Sequence, residues 1–193
     1  MSLSALVLSQ SQATAVVNAM TTNLGANAGI NVYTGAPPAG PDSAETGTLT
    51  VSGTVSSWGA PAYTAAVSGM ASSATMSASG YSAAASGIST HAMITTSGGT
   101  QEQMALVGSP WIPSQQTALD QLCYANGNTY QCTTAGTSST TAPSGTTTFT
   151  DGTAVWTYQG AGKLYPVELG NVLVTLGTQV QMSMQQICPS QSA

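Results

Sequence analysis

His91 is the only imidazole in the chain, so any acid–base or nucleophilic chemistry that needs a histidine would start there. A Ser-His-acid arrangement requires that ring beside an activated hydroxyl and a carboxylate. No Gly-x-Ser-x-Gly elbow is present, and Ser68-Gly69 and Ser86-Gly87 lack the pattern. His91 lies in Ser89-Thr-His-Ala-Met93, which reads as a strand, and a partly exposed strand histidine is the expectation. Metal chemistry has no better footing, with no CxxC, no HExxH and no second histidine. Asp42 reads as a loop residue after Pro41 and Asp151 as a turn residue before Gly152, ahead of any calcium role. The glycine-rich stretches lack the lysine of a phosphate-binding loop. The expectation is a non-enzymatic chain with no cofactor and no metal.

Two groups of side chains invite a closer look. Cys123 and Cys132 flank Tyr124-Ala-Asn-Gly-Asn-Thr-Tyr130, which holds a tight turn. If Gly127-Asn128 form the two-residue loop, Cys123 faces Cys132 at a non-hydrogen-bonded pair, within disulfide reach. If Asn126-Gly127 form it, Cys123 faces Tyr130 and no bridge is possible. The second group is Tyr130, Trp156 and Tyr158. Along Thr153–Tyr158, Ala154, Trp156 and Tyr158 share one face of a strand. Those rings are either a small core or a stacking platform for a sugar.

The 193 residues carry one Lys, no Arg and six carboxylates, and charged residues make up 4% of the chain. Ordinary soluble domains carry about 25%. One cation cannot displace phosphate counterions, so a nucleic-acid partner is not expected. A polybasic attachment to a membrane surface fails for the same reason, and no apolar run approaches the length needed to span a bilayer. The apolar patch Leu3–Leu8 has no basic flank and is too short to read as a secretion signal. Three cysteines, an odd count, argue against a secreted disulfide scaffold and for synthesis in a reducing cytoplasm. With 41% hydrophobic residues a core is available, and its surface must be built from Ser, Thr, Gln, Asn, Gly and Ala.

The elements that position these residues follow from periodicity. Ala13, Val16 or Val17, Met20 and Leu24 recur at steps of three and four, giving one helix over 4–25 that stops near Gly25. Ile30–Thr34 alternates as a strand, and Gly35–Pro41 is loop. Leu49, Val51 and Val55 mark another strand. Residues 59–87 are Ala/Ser/Gly-rich and fit either close-packed strands or a loose arm. Thr90–Thr95 and Gln103–Val107 are strands joined through Ser97-Gly98-Gly99. Val172, Val174 and Leu176 share a face, and Val180, Met182 and Met184 alternate with glutamine and serine as a half-buried strand with a neutral outer face. Composition shifts between Trp111 and Gly160, where a second hairpin turns at Asp151-Gly152. The fold class expected is mainly β: an antiparallel β-sandwich, jelly-roll-like, with one N-terminal helix. Its domains are residues 1–109 plus 163–193 as the main body and 110–162 as a small inserted β-hairpin module.

Two stretches carry a resemblance. Ile30-Asn-Val-Tyr-Thr-Gly-Ala-Pro-Pro38, preceded by the helix and followed by Thr46-Gly-Thr-Leu-Thr-Val51, resembles small virion proteins of tailed bacteriophages. Asn126-Gly-Asn-Thr-Tyr-Gln-Cys-Thr-Thr-Ala-Gly136 with Asp151-Gly-Thr-Ala-Val-Trp-Thr-Tyr158 resembles a short β module of phage capsid, tail and fibre proteins. The resemblance implies a capsid decoration (cement) protein on the virion surface. Its partners would be the major capsid protein and copies of itself in a homotrimer. The alternative it implies is a tail or head fibre protein that binds host surface glycan through Tyr130, Trp156 and Tyr158.

Overall fold

The computed structural model describes residues 8–65 and 69–189. Its one helix among them is α1 (Gln10–Leu24). Ser9 caps it, accepting the Gln12 N–H, and Gly25 ends it at φ +69°, a conformation that suits glycine. The buried stripe is Ala13, Val17, Thr21 and Leu24, while Val16 is 40% exposed. The helix expected from residue 4 therefore starts at Gln10. Leu8 makes a β-bridge, and residues 1–7 lie outside the described residues.

Strands β1 (Gly29–Thr34), β2 (Leu49–Trp58), β3 (Ala62–Thr64), β4 (Gly69–Met76), β5 (Tyr81–Ser82), β6 (Gly87–Thr95) and β7 (Gln101–Pro110) follow. The middle of the chain supplies β8 (Gln116–Thr117), β9 (Leu122–Ala125), β10 (Asn128–Thr134), β11 (Gly136–Thr137), β12 (Thr148–Asp151) and β13 (Ala154–Ala161). The last elements are β14 (Val167–Leu169), β15 (Leu173–Val174), β16 (Gln179–Val180) and β17 (Met182–Pro189). The protein is mainly β with one helix, as expected. None of the described helical residues forms a segment long and apolar enough to cross a membrane.

One sheet dominates. Its strands run β7-β14-β17-β4-β2-β1-β6, and β6 pairs back onto β7, closing a barrel-like ring. From β7 the sheet also extends through β9, β10, β13 and β12. Ile30, Val32, Val51, Val55, Ile94, Val107, Val167, Leu169, Met182 and Met184 fill the ring, and Leu24 of α1 reaches the same core. Each fully buried Val, Leu, Ile or Met contributes about 1.5–3 kcal/mol relative to exposure. A separate apolar cluster is drawn from residues 111–158.

Several expectations resolve here. The alternation over Val180, Met182 and Met184 is buried as read, and Gln186 continues the same face at 2% exposure. Residues 59–87 hold three strands: β4 is wedged between β2 and β17, with Ser72 fully buried, so its small side chains serve close packing. Val67 falls outside the described residues. Leu176 is 64% exposed and does not share the buried face of Val172 and Val174. The sheet is not wholly antiparallel: β7 pairs parallel with both β9 and β14. Parallel neighbours need long connections, and residues 111–121 and 111–166 provide them. Alternation in a sequence carries no strand direction, so this could not be read from it.

Candidate functional site

The residues singled out in 110–162 gather around one carboxylate. Asp151 is 1% exposed. Its Oδ2 accepts the indole N–H of Trp111 at 2.9 Å and of Trp156 at 3.1 Å, and its Oδ1 accepts the Ser139 N–H. Asp151 is thus an interior acceptor and not a turn residue. It pairs with Ala154, which leaves Gly152-Thr153 as the two-residue loop, with Gly152 at φ +64°. A glycine at the first loop position with positive φ suits a hairpin. The turn therefore lies one residue later than Asp151-Gly152.

The Cys123–Cys132 bridge does not form, and both are free thiols. Asn126 (φ +48°) and Gly127 (φ +82°) make the loop, which pairs Cys123 with Tyr130. Positive φ at both positions matches strand twist, which is why Asn-Gly wins over Gly-Asn. Cys132 then stands diagonal to Cys123, where backbone separations of about 7–8 Å exceed disulfide reach. Burial first, then the Asp151 charge and Cys132, push the Cys123 thiol far above its ordinary value. Burial also raises Cys132, against the opposing pull of Thr117 and Thr134. Both thiols are poor nucleophiles.

Tyr130 is fully buried and Trp156 is 1% exposed. The Tyr130 hydroxyl donates to the Gly145 carbonyl at 2.8 Å, and its ring meets Tyr158 edge-on at 6.1 Å. A ring closed off on all sides cannot stack on a sugar, so Tyr130 and Trp156 are core residues and not a glycan platform. Tyr158 is half-buried at the rim of the same cluster.

His91 also departs from expectation: it is fully buried. Its Nε2 lies 2.7 Å from Glu45 Oε2, its Nδ1 lies 3.0 Å from Thr90 Oγ1, and its ring stacks on Tyr33. An ionised carboxylate only accepts, so Nε2 carries a proton there. The pair pins the loop between β1 and β2 over β6. Thr90 assists by donating to the Gly35 carbonyl at 2.6 Å. Burial alone would raise the Glu45 carboxyl, but the Gly47 N–H and His91 outweigh it and hold it below its ordinary value. A depressed carboxyl stabilises the fold above its unfolded value, and that contribution is lost as pH falls through the folded one. Glu45→Ala, which strands a buried His91 donor, is expected to cost about 2–3 kcal/mol near neutral pH. In urea unfolding, the margin of wild type over Glu45→Gln should shrink as pH falls below the ordinary carboxylate range of about 4.3.

The opposite face of the β12-β13-β10 sheet looks outward. Thr148 pairs with Thr157 and Thr150 with Val155 across β12 and β13. Thr133 Oγ1 lies 3.3 Å from Thr157 Oγ1, and Gln131 donates to Asp120 Oδ1 at 3.0 Å. Thr133, Thr148 and Thr150 are exposed, and Gln131, Val155 and Thr157 half-buried. The lone lysine, Lys163, is tied to Glu168 at 2.7 Å and sits over the Tyr124 ring. Among the described residues, the carboxylates of Glu45, Glu102, Asp120, Asp151 and Glu168 each have a hydrogen-bond partner within the chain. No group of three or more metal-binding side chains occurs among the described residues. Sequence reasoning missed Glu45, whose partner His91 is 46 positions away, and took Asp151 for a turn residue, since only Trp156 of its partners is close in the chain and Trp111 is 40 positions away. No protein-family model, curated protein or solved structure matches the chain.

Proposed function

We propose that this chain is a non-enzymatic structural protein of a tailed-bacteriophage particle, a decoration (cement) protein on the capsid surface. It would bridge neighbouring copies of the major capsid protein, as a homotrimer, with the 110–162 module facing outward. The jelly-roll-like sandwich and inserted hairpin module belong to this reading. The observation that carries it is the sheet face of the uncharged side chains Thr133, Thr148, Thr150, Val155, Thr157 and Gln131, bordered by the Asp120 carboxylate that Gln131 holds. Such a face can associate through area, hydrogen bonds and bridging water, without charge pairing. The ionisable groups are spent on internal contacts, which leaves few for acid–base chemistry. The fibre reading draws no support from Tyr130 and Trp156, whose rings are buried.

Stabilisation would come by mass action, because a protein that binds the assembled shell and not its parts shifts the equilibrium toward the shell. Particles lacking this protein are expected to release DNA at a lower temperature than complete ones, and adding the purified protein back should restore the difference. Equal heat and osmotic resistance with and without it would overturn the proposal.

A further inference from the structure

Residues 35–48 join β1 to β2, and none of them is buried. Thr34 and Thr48 bond each other at the base of this segment. Two further bonds tie it to β6: Thr90 Oγ1 donates to the Gly35 carbonyl at 2.6 Å, and His91 Nε2 lies 2.7 Å from Glu45 Oε2. The bonds from the Ser43 N–H to the Gly40 carbonyl and from the Gly47 N–H to Glu45 Oε1 stay within the segment. Its hold on β6 thus comes at two points, one near each end, and Thr90 and His91 are adjacent residues that supply them.

The protons at these two points can be counted. A hydroxyl carries one proton, and a carbonyl only accepts. At 2.6 Å the Gly35 carbonyl takes the Thr90 proton, with the Tyr33 carbonyl at 3.3 Å as a second acceptor. None is left for His91 Nδ1, 3.0 Å from Thr90 Oγ1, so Nδ1 must donate. Nε2 faces an ionised carboxylate and must donate too. The other side chains set against the ring bring no charge: Tyr33 of β1 stacks on it, and Leu106 of β7 pairs with it. Burial first, then the Glu45 charge, push the Tyr33 phenol above its ordinary value and keep it neutral.

From this we infer that residues 35–48 form a strap pinned to β6 at both ends by an imidazolium, and that losing one of the two His91 ring protons frees the Gly35 end. A neutral ring keeps its better-placed proton, the one on Nε2 that faces the Glu45 carboxylate. Bare Nδ1 then draws the Thr90 hydroxyl toward itself, and the single hydroxyl proton leaves the Gly35 carbonyl. Gly35 is exposed, so water can answer its carbonyl once the strap lifts. The pinned state binds one proton more than the freed one, so the Gly35 end is held at lower pH and let go as pH rises. The Glu45 end responds in the opposite sense, since protonating the carboxyl removes the charge that faces Nε2. The strap is therefore fastened at both ends only between the two events. The inference does not depend on the phage reading.

The test is a pH titration of the full chain, labelled with nitrogen-15 and carbon-13, by nuclear magnetic resonance. His91 is the only imidazole, so its ring signals are unambiguous. Below the step both ring nitrogens should be coupled to a proton. As pH rises one coupling, that of Nδ1, should be lost, and the Gly35 carbonyl carbon should shift in the same step. In Thr90→Val, which has no hydroxyl to give, the Gly35 carbonyl should stand at the freed position at every pH and show no step. A singly protonated ring together with a Gly35 carbonyl at the pinned position overturns the inference. So does loss of the second ring proton with the Gly35 carbonyl unmoved, a result that wild type alone can give. A Gly35 step that persists in folded Thr90→Val also overturns it.

Discussion

Replacing Asp151 with alanine is expected to be among the two most damaging single changes in the chain, lowering stability by about 3–5 kcal/mol. The carboxylate collects two indole N–H groups and one backbone N–H in a place from which water is excluded. Alanine leaves the three donors without an acceptor and opens a cavity between two tryptophans. For a chain of this length the loss corresponds to a fall in melting temperature of about 10 °C or more. Asp151→Asn separates the contributions. One amide oxygen can still serve the indoles, but the amide nitrogen turned toward Ser139 presents a donor to a donor. That variant should lose about 1–3 kcal/mol. Tryptophan emission should shift to the red in Asp151→Ala as Trp111 and Trp156 meet water. A melting temperature within about 2 °C of wild type, the scatter of a neutral surface change, would show that Asp151 holds nothing together.

The second large effect is expected at Gly108. A Cβ there would lie 2.5 Å from the Tyr165 ring, which is 2% exposed and lies flat on that stretch of backbone. Gly108 is also the junction of the sheet, paired with Glu168 of β14 on one side and Leu122 of β9 on the other. The ring cannot swing away cheaply, because the Tyr165 hydroxyl donates to Glu168 Oε2 at 3.1 Å and Lys163 holds the same oxygen. Gly108→Ala should therefore cost about 3 kcal/mol, at the upper end of overpacking changes. Combining it with Tyr165→Leu should recover part of that loss, because the two residues are in contact and their effects do not add. If Gly108→Ala unfolds with the same denaturant midpoint as wild type, the Tyr165 ring does not close off this stretch of β7 backbone.

What the sequence displayed was local. The two-residue alternation of Val180, Met182 and Met184 names its buried face, because a strand exposes side chains to opposite sides in turn. The three- and four-residue steps of Ala13, Val17 and Leu24 name the helix face, although adjacent Val16 and Val17 could only be separated by the packing. The paired alternatives at Asn126-Gly127-Asn128 were both visible, and backbone sign decided between them. What the sequence hid was pairing at a distance. His91 looked exposed because nothing near it is acidic; Glu45 arrives by a loop. Alternation left Trp156 as either core or platform, because which side of its strand is covered depends on Trp111 and Asp151. The shortness of β14 could not be read at all. β7 and β17 outrun a strand that begins after Pro166, and neighbour order in a sheet leaves no periodic mark.

The neutral outer face matters to the account only if the protein is part of a particle. The direct measurement is the protein content of infectious particles purified by density and analysed by quantitative mass spectrometry against the major capsid protein. The account predicts this chain in a fixed, many-copy ratio to the capsid subunit that survives repeated purification. Its absence from particles that remain infectious would contradict the account.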